Sequence, residues 1–180
     1  MVMSKSRRLG VSGKFGLAGV IGAAALLVAG AAAAQLDPRA PIDITADASE
    51  TIQSQCLSSW SGAVEALQGR TRLRADQVTL YSAKRADGCG ASERMEARGQ
   101  VYFVTPERTV RADSAVYVFT TETITLTGGV IVVQGKSVVR GDRMVINTGT
   151  GQANMTSSTT GRNKAGRVRG VFYPNDTASR

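Results

Sequence analysis

Val110-Arg111-Ala112-Asp113-Ser114-Ala115-Val116-Tyr117 decides the fold, because its core returns at Leu73-Arg74-Ala75-Asp76 and at Val139-Arg140-Gly141-Asp142. A weaker fourth copy is Ile44-Thr45-Ala46-Asp47. Apolar residues recur with period two, and β-branched and aromatic types dominate runs such as Val116-Tyr117-Val118-Phe119, so the copies read as strands. Fourteen residues before three of the aspartates stand Gly62, Gly99 and Gly128, each leading into a further strand-like run. The aspartates are 29, 37 and 29 residues apart, and the longer interval contains the polar stretch Ser82–Glu93 with its Gly88-Cys89-Gly90. That stretch is expected to be an inserted loop. A repeat of about this period means stacked supersecondary units that bury a continuous core only together. Nothing after Gln35 reads as a long helix, so the fold class is all-β, built from stacked antiparallel strand repeats.

Positions that stay apolar in every copy share a face. Two and four residues after the glycines come Val64 and Ala66, Val101 and Phe103, and Val130 and Val132. Two and four residues after the aspartates come Val78 and Leu80, Ala115 and Tyr117, and Met144 and Ile146. These form the predicted interior, together with Leu73 and Ala75, Val110 and Ala112, and Val139 and Gly141 just before the aspartates. The interior residues lie one and three places before each aspartate but two and four after it, so the alternation slips by one, which a regular strand does not do. A bulge or corner with a direction change is therefore expected at Asp47, Asp76, Asp113 and Asp142, where a short carboxylate bonds nearby N–H groups. Four equivalent acids, one per repeat, fit architecture better than a catalytic pair. Arg74, Arg111 and Arg140 fall on the outward face at one level and would form an arginine ladder. Such a ladder either blunts a sheet edge or contacts phosphate groups.

Lys5, Arg7, Arg8 and Lys14 form a basic n-region ahead of an uncharged run that closes on Ala32-Ala33-Ala34-Gln35, an A-x-A cleavage pattern. Residues 1–34 are expected to be a cleaved signal peptide. A retained anchor is the alternative, since about 20 uncharged residues span a bilayer, but this run is mostly Ala and Gly. The Arg7-Arg8 pair raises twin-arginine export, although the hydrophobic residue that should follow is poorly matched and general secretion fits better. One β-domain over 35–155 and a basic C-terminal segment over 156–180 with a last strand complete the organisation. Removing the four leader charges takes the formal charge from +8 to +4. The tail, with Arg162, Lys164, Arg167, Arg169 and Arg180 against Asp176, carries that whole excess. A basic tail on a neutral secreted body argues for phosphates on a surface or ligand rather than nucleic acid, or for a solvated tail.

Two cysteines, Cys56 and Cys89, remain in a compartment that permits oxidation, so a disulfide is the natural reading, with free thiols as the alternative. The chain has no histidine, and it shows no redox C-x-x-C, no metal-ligand spacing and no Gly-x-Ser-x-Gly elbow. No catalytic residue, metal or cofactor is therefore expected, and a periplasmic hydrolase is the weakest of the possible functions.

The phased series resembles the LptA/OstA-like family of periplasmic lipopolysaccharide export proteins. Gly99–Val104, Arg111–Tyr117, Thr123–Val130 and Gln134–Ile146 carry most of the resemblance, which spans nearly all of Ile42–Met155. It implies an open, twisted β-jellyroll whose interior holds the acyl chains of lipopolysaccharide (lipid A). It also implies head-to-tail self-association, and contact with LptC-like and LptD-like jellyroll proteins, in a bridge between inner and outer membranes. A membrane-anchored LptC-like relative is the alternative within the same resemblance. The cysteine pair and the Ser82–Glu93 insertion depart from the family pattern.

Overall fold

In the structure, a computed structural model describing residues 40–162 and 164–174, the alternating runs become ten strands of one antiparallel sheet. They are β1 (Asp43–Thr45), β2 (Ala48–Ile52), β3 (Leu57–Gln68), β4 (Thr71–Arg85), β5 (Gly88–Val104), β6 (Thr109–Val118), β7 (Thr123–Gln134), β8 (Ser137–Asn147), β9 (Ala153–Thr156) and β10 (Arg169–Val171). Neighbours in sequence from β3 to β8 are neighbours in the sheet, joined as a meander. At each side the edge is shared by two short strands: β1 and β2 both pair with β3, and β9 and β10 both pair with β8. Apart from two 3-10 turns, Gln53–Gln55 and Phe119–Thr121, the described residues hold no helix. The expected leader, residues 1–34, and its expected cleavage site lie outside the described residues.

One irregularity crosses the whole sheet at a single level. Between β3 and β4, Gly62 and Ala63 together oppose Asp76; between β5 and β6, Gly99 and Gln100 oppose Asp113; between β7 and β8, Gly128 and Gly129 oppose Asp142. Two residues against one is a β-bulge, and the first of each pair is a glycine in the left-handed region, with φ of 81°, 75° and 84°. The parity slip is thus present, but its extra residue sits on the glycine strand. Asp76, Asp113 and Asp142 run inside continuous strands rather than at corners, and only Asp47 marks a break, between β1 and β2. The physical reason is that glycine accepts the left-handed turn at no steric cost, whereas a strand facing a bulge needs no turn of its own. A methyl at Gly62, Gly99 or Gly128 would collide with the carboxylate of Asp47, Asp76 or Asp113 respectively, so each glycine also makes room for the aspartate of the preceding repeat.

The Ser82–Glu93 insertion is likewise not a loop. The β4–β5 hairpin runs on past Tyr81 and Arg94, with Ser82 opposite Ser92, Lys84 opposite Cys89 and Arg85 opposite Gly88. Only Ala86 and Asp87 turn. Polar residues here fit a strand pair solvated on both faces, which composition alone reads as loop.

Candidate functional site

The bulge row divides every long strand in two, and the apolar residues of both halves point into one cluster. A narrow cavity of about 50 Å³ shows how they meet. One of its walls carries Ala66, Leu73 and Phe103, from the halves of β3, β4 and β5 that lie toward the 69–70 and 105–108 turns. The facing wall carries Met95, Ala97, Ala115, Tyr117 and Ile124, from the opposite halves of β5, β6 and β7. Residues far apart along the same strands share a cavity only if the sheet folds over on itself, and the bulge row is where the strands bend, as bulges do. The interior is the apolar inside of that fold.

Of the predicted interior residues, Val64, Ala66, Val78, Val101, Phe103, Ala115, Tyr117, Val130, Val132, Met144 and Ile146 are buried, and Leu80 is half-buried against them. Leu73, Ala75, Val110 and Ala112 are buried with them, while Val139 is half-buried. Gly141 is small because Met155 of β9 packs where its side chain would go. Sequence reasoning missed Met95, Ala97, Ile124 and Leu126, all buried. A signal for them existed: they stand four and two residues before Gly99 and Gly128, and Trp60, half-buried, stands two before Gly62. Counting in both directions from the glycines finds them.

On the outer face the arginines share a row but not an environment. Arg74 donates from Nε to Glu65 Oε1 at 2.9 Å, and Arg72 reaches the same oxygen at 3.0 Å. The bond from Arg74, aided by the positive charge of both arginines, holds the Glu65 carboxyl below its ordinary value. Arg111 lies over the Tyr102 ring, 6.0 Å from its centroid. Arg140 faces Arg169 of β10 across the sheet, and among the described residues neither has an ion-pair partner. Asp142, close by on β8, is already engaged: its Oδ2 accepts from both the amide and the hydroxyl of Ser158 at 2.7 Å, which lowers its pKa. Positive charge therefore collects at the C-terminal edge, while Glu65 and Glu96 balance the arginines of β4 and β5.

Cys56 and Cys89 form a disulfide, with Cα atoms 5.3 Å apart. Cys56 follows the 3-10 turn in a left-handed conformation, and its carbonyl accepts from Ser82 N at 2.9 Å where the hairpin extension begins. The bond ties the extension to the turn between β2 and β3. Among the described residues no group of acidic or cysteine side chains is arranged to hold a metal.

A single antiparallel sheet folded along a bulge row, apolar within and with its described strands ending at two edges, is an open β-jellyroll. The family model "LptA/(LptD N-terminal domain) LPS transport protein" matches residues 43–152, and the chain belongs to that family. An uncharacterized protein of Rhizobium meliloti (strain 1021) is 27% identical over 151 residues, covering 76% of this chain and 81% of its own. The crystal structure of LptH, described as the LptA homologous periplasmic component of the conserved lipopolysaccharide transport device from Pseudomonas aeruginosa, matches with a TM-score of 0.65. That match covers 77% of this chain and 99% of that one at 22% identity, and it bears on the fold alone.

Proposed function

We propose that the chain is a periplasmic lipopolysaccharide carrier, in which the folded sheet shelters the acyl chains of lipid A without transforming them. The observation that carries this reading is the continuous apolar interior from β3 to β8, which ends at an unclosed edge on each side. Each CH₂ withdrawn from water contributes about 0.8 kcal/mol, so a few chains supply ample affinity. The cavity as it stands is only about 50 Å³. Acyl chains must therefore part the two walls, which an open sheet permits and a closed barrel resists.

Both edges suit strand addition. Among the described residues, β1 and β2 have a free side at one edge; at the other, β10 ends on exposed Val171 and leads into exposed Phe172 and Tyr173. Head-to-tail copies, with LptC-like and LptD-like jellyrolls at the ends, would then extend the groove between the two membranes. Arg140, of the three ladder arginines, is the phosphate contact this reading favours, because Arg74 is neutralised and Arg111 is stacked. Protein recovered from the periplasm under native conditions should carry lipopolysaccharide detectable by mass spectrometry, and Phe103→Asp should lose it. Recovery of the wild-type protein free of lipid, in cells making lipopolysaccharide, would count against a carrier.

A further inference from the structure

Tyr117 is 5% exposed, and its hydroxyl is a buried polar group with no hydrogen-bond partner among the described residues. The topology explains why. Its cross-strand neighbours are Met95 on β5 and Ile124 on β7, its same-face neighbour along β6 is Ala115, and the Phe119 ring lies 4.6 Å from its own. None of these side chains offers a strong donor or acceptor. A hydroxyl kept in such a place costs stability unless something bonds it. The repeat shows that the fold does not ask for it: the equivalent positions, four residues after Asp76 and Asp142, hold Leu80 and Ile146. A phenylalanine would fill the same space, so packing accounts for the ring and leaves the oxygen unexplained.

The ring also lines the narrow cavity between the two walls, with Phe103, Leu73 and Met95. We propose that the Tyr117 hydroxyl is a polar anchor inside the groove, donating to the carbonyl oxygen through which the acyl chain of the bound lipid is joined. The inference rests on the carrier reading above and adds to it a selection. The apolar walls accept any hydrocarbon, whereas one fixed donor favours a chain with an acceptor at the depth of Tyr117 and sets how far the chain slides in. A hydrogen bond of this kind shifts affinity by about five- to tenfold, enough to fix register without preventing release.

The test compares wild type with Tyr117→Phe, using two lysophosphocholines of equal length, one joined through an ester and one through an ether that lacks the carbonyl. Binding is followed by displacement of an apolar fluorescent dye, and thermal unfolding is followed without lipid. The ester lipid should bind Tyr117→Phe about five- to tenfold more weakly than wild type, the ether lipid should bind both within about twofold, and the lipid-free variant should melt no lower than wild type. Equal binding of the ester lipid to both proteins would mean that the hydroxyl meets water only, and would overturn the inference while leaving the carrier reading intact. So would a lower melting temperature for the variant, or an equal loss for both lipids. If neither lipid binds either protein, the inference falls, while the carrier reading stands or falls on lipopolysaccharide recovered with the native protein.

Discussion

Gly99 and Asp76 occupy each other's space. The glycine holds φ of 75° and a methyl on it would strike the Asp76 carboxylate, whereas Gly69, with φ of 58°, has nothing within 4 Å of the same methyl. Gly69→Ala should therefore cost only the backbone preference, about 1 kcal/mol, and Gly99→Ala about 2–3 kcal/mol. Adding Asp76→Ala to Gly99→Ala should recover part of the difference, so urea denaturation of the double variant should fall short of the summed single losses. Strict additivity would show that the two residues do not meet. Asp142 serves the same row at its far end through Ser158, and its pKa is lowered by those bonds. A carboxylate depressed on folding contributes stability above its unfolded value, roughly 3.9, and loses it as pH falls through the folded one. The Ser158 amide signal in NMR should thus hold at neutral pH and shift only in acid below about pH 4, and Asp142→Asn should abolish that titration. A midpoint at or above the unfolded value would contradict the bond.

The extended β4–β5 hairpin is the element most exposed to loss, since beyond Tyr81 it is paired, among the described residues, only to itself and anchored by the disulfide and the bond from Ser82 to Cys56. The cysteines are 33 residues apart, so opening the bond by Cys56→Ala with Cys89→Ala should cost roughly 4 kcal/mol on the chain-entropy account. Hydrogen exchange should rise first in Ser82–Glu93, while the strand signal in circular dichroism persists. Uniform loss of protection would mean that the hairpin is not a separate unit. This element was also the least legible in the sequence. Its residues are polar on both faces, and without an apolar stripe the period-two signal vanishes. The bulge row was half legible: the slip in alternation at the aspartates was visible, but which strand carried the extra residue was not. That depends on which residue accepts a positive φ, and the glycines lay fourteen residues away in sequence yet one strand away in space.

At the scale of the whole molecule, comparison between repeats located the interior because burial holds a position apolar in every unit, whereas outward positions drift. Tyr117 escaped that logic, since an averaged position reports that it is apolar and hides one hydroxyl. The arginine row was legible as a row, but its differences came from partners on other strands, Glu65 and Tyr102, which no spacing within a repeat reveals. The central claim is that the inside of the folded sheet, and not its outer face, holds the lipid. A photo-reactive amino acid placed in turn at Phe103, Tyr117, Thr79 and Val116 in living cells tests it most directly. Crosslinks to lipopolysaccharide from Phe103 and Tyr117, with none from Thr79 and Val116, are the predicted result; crosslinks from Thr79 and Val116 alone would contradict it.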